Sequence, residues 1–256
     1  MARAPILLEI CVDTVAGVRA AVAGGADRIE LCAALALGGL TPSAGLIDAA
    51  RSQPVPVRAM IRPRAGGFVY DHAEYEVQRR DIDAVRAAGL AGVVIGATDT
   101  AGRLDLDLLR ALADHAAGLA LTLHRAIDLV PDAAAAVEIA IALGFDTILT
   151  SGGALVAAEG TARIAAMHRQ SAGRIEIMAG SGVTPDNVAA LIGATGVGAV
   201  HASCSRAVPA RDMRAVRMGF TPENLRETDQ RIVEQLRRAL LAEDHPPEAP
   251  RSGDPT

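Results

Sequence analysis

The chain has 256 residues, half of them hydrophobic and 21% charged, with a formal net charge of −5. That size and balance fit one large domain with a substantial core. The acidic excess, together with two Tyr, three Phe and no Trp, excludes a nucleic-acid surface built on phosphate contacts or base stacking.

In chain order, short apolar or β-branched runs read as strands at 6–11 (ILLEIC), 27–32 (DRIELC), 56–62 (PVRAMIR) and 92–96 (GVVIG). Four more follow at 118–124 (GLALTLH), 146–150 (DTILT), 174–179 (RIEIMA) and 197–202 (VGAVHA). Ala- and Leu-rich segments with helical spacing lie between them, marked by Val15, Val18, Ala21 and Val22 in the first and by Val137, Ile139, Ala140 and Leu143 later. Several end in Gly just before the next strand, as in AGGADRIEL and ALGFDTILT, where a left-handed residue stops a helix. Eight alternating units require parallel pairing through right-handed crossovers. Within this length they fit a closed (β/α)8 TIM barrel over residues 1–242 better than an open sheet. A helix at 223–242 aligns Leu225, Ile232, Val233, Leu236 and Leu240 on one stripe and is expected to close the barrel wall as a less regular final segment. Residues 243–256 (EDHPPEAPRSGDPT) are polar and Pro-rich and read as a disordered tail.

Strand parity then sorts the side chains. In a barrel, alternate residues face the helices and the lumen, and the helix-facing set must be apolar. Leu8, Ile10, Ile29, Leu31, Val57, Ala59, Ile61, Leu121, Leu123, Ile175, Ile177 and Val200 fit that description. The lumen then receives Glu9, Cys11, Arg28, Glu30, Cys32, Arg58, Met60, Arg62, Thr122, His124, Glu176, Met178 and His201. A barrel interior is ordinarily filled with branched apolar side chains; this one would hold a Glu–Arg–His network, because buried charges persist only when paired. Cys11, Cys32, Arg62, His124 and His201 fall near the C-terminal strand ends, the face where barrels keep their sites.

No apolar run is long enough to span a membrane. The N-terminal MARAPILLEIC, interrupted by Glu9, is no secretory signal. Three cysteines make no disulfide framework, so a reducing cytoplasm is the expected compartment.

Two ligand chemistries compete for the mouth. The first is an enzyme or binder for a small phosphorylated or carboxylated metabolite. Arg62 and Arg64 of IRPRAGG would clamp its acidic group, and Arg28, Arg125 and His201 add positive charge nearby. The Gly-rich turns Ser151-Gly152-Gly153 and Gly180-Ser181-Gly182 would offer backbone N–H groups. In the second turn Thr184 is placed as N-cap and Pro185 in the first helical turn. Tight βα turns alone would also explain these glycines. Glu9, Glu30 and His124 would be the acid/base groups, and Asp128 is expected to cap the helix after it.

The second chemistry comes with a resemblance. The segments LEIC…GADRIELCAALALGGLTPS, IRPRAGGFVY, LHRAID, ILTSGG and IMAGSGV resemble, in order, those of the CutC copper homeostasis family. The resemblance spans about residues 6–205 and carries over Glu9, Cys11, Arg28, Glu30, Cys32, Arg62, Arg64, His124 and Arg125. It implies a cytoplasmic barrel, a homo-oligomer (dimer or tetramer), and Cu(I) as ligand. Soft thiolates suit Cu(I), and Cys11 and Cys32 end neighbouring strands with the same parity. Met60 and Met178 would add thioethers, although Met in a core is usually filler and free Cys a small hydrophobe. Cys204 lies outside the family motif and would be a third ligand from the end of the eighth strand.

Overall fold

The computed structural model describes residues 5–244; from residue 245 on, the tail expected over 243–256 lies outside them. The parallel strands are β1 (Leu7–Val12), β2 (Arg28–Leu31), β3 (Val57–Met60), β4 (Gly92–Ile95), β5 (Ala120–Leu123), β6 (Thr147–Thr150), β7 (Glu176–Gly180) and β8 (Ala199–Ala202). They close into a barrel in sequence order, with β1 paired to β8. Seven helices alternate with them: α1 (Val15–Ala23), α2 (Ala44–Ala50), α3 (His72–Ala87), α4 (Leu106–His115), α5 (Ala133–Ala142), α6 (Thr161–Ser171) and α7 (Val188–Thr195). After the last barrel strand come a hairpin, β9 (Ser205–Pro209) and β10 (Asn224–Thr228), a short α8 (Met213–Arg217) inside it, and α9 (Gln230–Asp244).

Helices α1 to α5 each start for a local reason. Thr14, Ser43, Asp71, Asp105 and Asp132 accept from the first-turn N–H groups of α1 to α5, satisfying donors the helix leaves open. Asp71 and Glu74 form a full capping box at α3. The apolar parity set packs outward as expected: Leu8, Ile10, Ile29, Leu31, Ile61, Leu123 and Ile177 are fully buried in one continuous core. At about 2 kcal/mol for each such side chain, this layer carries the stability that lets the lumen be polar.

The C-terminal segment differs from its expected form. The helix begins at Gln230, not 223, because Asp229 caps it: its Oδ1 accepts from Arg231 N–H. Leu225 lies exposed on β10 instead of on the helical stripe. The rest of the stripe behaves as expected, with Val233, Leu236 and Leu240 buried where α9 packs against α1 and α7. A second shift concerns α7, which starts at Val188. Asn187, not Thr184, closes the turn, its Oδ1 accepting from Thr184 N–H and its Nδ2 donating to Gly182 O.

Register decides which lumen residues become neighbours. Glu9 lies beside Arg28 on one side and His201 on the other; Cys11 lies beside Glu30, and Glu30 beside Arg58. The lower lumen is tied by a Glu9–Arg28 ion pair and by Arg58 Nη1, which donates to Thr122 Oγ1 at 2.7 Å and Thr147 Oγ1 at 3.2 Å. Two small apolar clusters fill the remainder: Cys32, Met60 and Val94, and Leu149, Met178 and Ala199. Glu176 is only half-buried at the barrel's lower edge; burial raises its carboxyl pKa despite the attraction of Arg28.

Candidate functional site

The C-terminal strand ends open into a cavity of about 630 Å³, walled by side chains from all around the barrel. On one wall, Cys11 from β1, Glu30 from β2 and His201 from β8 come together. One ligand-type atom of each lies within 4.8 Å of the others, and all three residues are buried. His201 Nε2 is 3.0 Å from Glu30 Oε2 and 3.9 Å from Glu9 Oε1. Burial would make the imidazole easier to deprotonate, but Cys11 and Glu30 reverse this and hold its pKa well above the ordinary value. Burial likewise disfavours the Glu30 carboxylate; His201 and a hydrogen bond from Cys32 outweigh that and keep its pKa low. The wall therefore holds an imidazolium–carboxylate pair beside the Cys11 sulfur. Gly180 permits this approach, since a Cβ there would lie 3.2 Å from His201 Cβ and 2.5 Å from Leu149 Cδ1.

On another wall, His124 follows β5 and packs against Phe68, ring centroids 4.8 Å apart and planes tilted by 45°. Its Nδ1 accepts from Ala126 N–H at 3.1 Å, so the proton of the neutral ring sits on Nε2. Burial, reinforced by Arg62 and opposed by Glu30, brings its pKa down to about 4. Gly96 makes room for the ring, as a Cβ would come within 2.4 Å of it. Arg62, also buried, sits over the Phe68 ring with its guanidinium carbon 5.1 Å from the ring centre. Its Nη1 donates to Leu37 O and Gly39 O, and its Nη2 to Gly66 O.

The remaining candidates divide clearly. Arg28 stays in the lower lumen on Glu9, with Nη2 against Met178 Sδ at 3.4 Å, so Met178 is occupied there. Arg64 is exposed and turns to Glu74 and to the carbonyls of Ala65, Gly67 and Val69, away from the cavity. Arg125 lines the cavity but is held by Asp128, Ser151 Oγ and Ala154 O.

Asp128 corrects its expected role, because α5 is capped by Asp132. Asp128 instead accepts from Thr150 Oγ1, from Ser151 N and Oγ, and from Gly153 N. These bonds outweigh burial and hold its pKa low. The Ser151-Gly152-Gly153 turn thus already contains its anion, a side chain of the same chain. Gly152 is needed sterically too, since a Cβ would meet Gly160 O at 2.3 Å. Ser181 and Gly182 line the cavity, with Ser181 in the left-handed region at φ 78°.

Of the thiols, Cys11 belongs to the cluster. Cys32 lies outside it, buried beside Met60, its Sγ 3.5 Å from Glu30 Oε2. Burial, Glu30 and Cys11 keep it a thiol, with a pKa well above the usual range. Cys204 packs in the apolar core with its pKa pushed up to about 12, first by burial and then by Cys11. All three are free. Phe68 went unread in the sequence, where its one signal was being among only three Phe in the chain.

Residues 6–206 match the model of the CutC family. The chain belongs to the CutC family. A CutC family protein of Sinorhizobium medicae (strain WSM419) is 58% identical over 237 residues, 93% of this chain and 97% of its own length. One from Caulobacter vibrioides (strain NA1000 / CB15N) is 55% identical over 239 residues, covering 93% and 98%. The crystal structure of Streptococcus agalactiae CutC, which carries the name of a copper homeostasis protein, is similar at TM-score 0.74 and 32% identity. The match covers 77% of this chain and 98% of that one. A thiamine phosphate pyrophosphorylase from Pyrococcus furiosus, at TM-score 0.58 and 15% identity over 93% and 96%, shares the fold alone. The family model ends where the β9–β10 hairpin begins, whereas the alignments to these two relatives cover 93% of the chain. Among the described residues, no helix is long and apolar enough to cross a membrane.

Proposed function

We propose that the protein binds Cu(I) in the cytoplasm as part of copper homeostasis, with Cys11 and His201 as first ligands and Cys32 adjoining. The observation that carries this reading is the convergence of Cys11, Glu30 and His201 within 4.8 Å at the barrel mouth. Thiolate and imidazole are donors suited to copper, and three free, buried thiols agree with a reducing compartment. The donor set fits a monovalent soft ion: one thiolate and one neutral imidazole balance a single positive charge. Glu30 Oε1 is buried without a hydrogen-bond partner and would accept from His201 or from a displaced proton. Binding must release the His201 proton as well as any proton on the Cys11 sulfur, so affinity falls as pH is lowered.

A Cu(I) competition titration in reducing buffer tests this. Cys11→Ser should lose affinity by about a hundredfold or more and Cys32→Ser by about tenfold, while Cys204→Ser, seated in the apolar core, should bind as wild type. Wild-type affinity in Cys11→Ser would exclude the site.

The cavity volume favours a second reading. About 630 Å³ is far more than one ion occupies and falls in the range of small-molecule sites. An enzyme or binder for a small phosphorylated or carboxylated metabolite would use Glu30 and His124, which both line the space, whereas Glu9 is paired with Arg28 beneath it. In this reading neutral His124 donates from Nε2 and polarises an oxygen, rather than acting as a base.

A further inference from the structure

We propose that the β9–β10 arm of one copy docks into an acidic groove between α3 and α4 of a second copy, joining two chains mouth to mouth.

The arm carries an apolar tip that no described residue covers. Phe220 is 77% exposed and Met218 69%, with Met213 and Leu225 exposed near them in the chain. The methionines of the barrel, Met60, Met167 and Met178, are buried, and so is Phe145. Strand β10 packs against α1, but α8 inside the hairpin has no buried residue. Large apolar side chains grouped on one exposed segment mark a contact surface.

Charge selects the partner. Residues 205–228 carry five Arg against Asp212, Glu223 and Glu227, a net positive segment in a chain of net −5. Asp229 pairs with Arg206 and Asp212 with Arg214. Arg211, Arg217 and Arg226 are exposed and, among the described residues, lie outside ion-pair distance of any carboxylate. A groove of about 390 Å³ has the complementary character. Tyr70, Tyr75 and Leu108 give it apolar walls, and Asp71, Asp105 and Asp107 line it as well. Asp71 and Asp105 accept from backbone N–H groups of the helices they cap, and none of the three Asp has an ion-pair partner among the described residues. Three unpaired Arg around an apolar tip thus match three unpaired Asp around an apolar groove.

One chain cannot make this contact with itself. The arm follows β8, and the groove lies where the chain enters α3 and α4, so both stand at the C-terminal face of the barrel. In the closed ring β8 is opposite β4, which puts the arm across the mouth from its own groove. A two-fold axis between facing mouths brings each arm onto the other copy's groove, so the contact forms twice and the assembly closes. The doubling matters, because one such arm alone makes a small interface.

The experiment is sedimentation velocity of the full chain in reducing buffer over a concentration series. Wild type should be a dimer. The arm variant carries Arg217→Glu and Phe220→Ser, and the groove variant carries Asp107→Arg. All three side chains are exposed and none caps a helix, so circular dichroism should match wild type. Each variant should weaken self-association about tenfold or more. An equimolar mixture of the two should associate more tightly than either alone, because one intact arm then meets one intact groove. A monomeric wild type would overturn the proposal and leave the arm to residues 245–256 or to a different protein. A dimer indifferent to the arm variant would place the interface elsewhere and overturn it too. Sensitivity to the arm variant alone, or a mixture that gains nothing, would overturn the pairing of arm with groove.

Discussion

His201 and His124 stand at the ends of β8 and β5 on different walls of one cavity, and burial pushes both toward the neutral form. What faces them differs. Glu30, 3.0 Å away, and Cys11 keep His201 charged. His124 feels the same carboxylate, but Arg62 adds to the effect of burial, and the ring titrates at about 4. One wall is therefore a charged pair beside the Cys11 sulfur, suited to exchanging a proton for a soft metal. The other is a neutral ring near a guanidinium that backbone carbonyls hold in place. Identical residue types near two C-terminal strand ends acquire opposite chemistry from their neighbours.

The most damaging change should be on the charged wall. Glu30→Gln removes the nearer member of a buried ion pair and leaves His201 only the Glu9 carboxylate at 3.9 Å, at an expected cost of about 3 kcal/mol in urea unfolding at pH 7. The ring's NMR shifts should move to the neutral values in the same sample. A cost below about 1 kcal/mol with an unchanged imidazolium would erase the difference between the walls.

The neutral wall should show itself in acid. The unfolded chain takes up a proton on His124 near pH 6.5, whereas the folded protein resists until about 4. Stability contributed by keeping the ring neutral is intact above 6.5, and about 3 kcal/mol is lost as pH falls toward 4. Between 6.5 and 4.5 this loss belongs to His124, because Glu30, whose folded pKa is depressed, keeps its contribution until pH drops further. His201 has the opposite sign: its raised pKa stabilises fully below 6.5, and that contribution disappears as pH rises through the folded value. Unfolding free energies measured across pH should accordingly lose the 6.5–4.5 slope in His124→Phe and keep the alkaline one. An unchanged acid slope would assign it to other groups.

The smallest effect sharpens the comparison with a third region. Asp128 is satisfied within its own turn, so Asp128→Asn should cost about 2 kcal/mol of stability while leaving Cu(I) affinity unchanged. Copper binding that changed with it would mean the β5–β6 turns communicate with the Cys11 wall.

Much of this was legible in the residues themselves. Period-two alternation in LLEIC and RIELC, repeated across eight runs, determined both the barrel and the inward direction of Glu9, Cys11, Glu30 and Cys32, because a strand has only two faces. The family was likewise readable from the ordered segments IRPRAGGFVY, LHRAID and IMAGSGV. Which inward residues meet was settled only in three dimensions. Glu30 contacts His201 from 171 residues away, and closure of β8 onto β1 brings His201, not Cys32, into the group with Cys11. Parity says that a side chain enters the lumen; the stagger between tilted strands decides its height there, and stagger leaves no local mark on the sequence. Asp128 was read as a cap for the same reason, since its donors come from the next βα turn. The start of α9 is the exception: the alternation in NLRET and the capping Asp229 were both on display, and the apolar stripe through Leu225 hid them. The remaining decision, whether a buried histidine is charged or neutral, belonged wholly to the tertiary structure, because it depends on which charges lie within a few ångströms in a medium that screens them weakly.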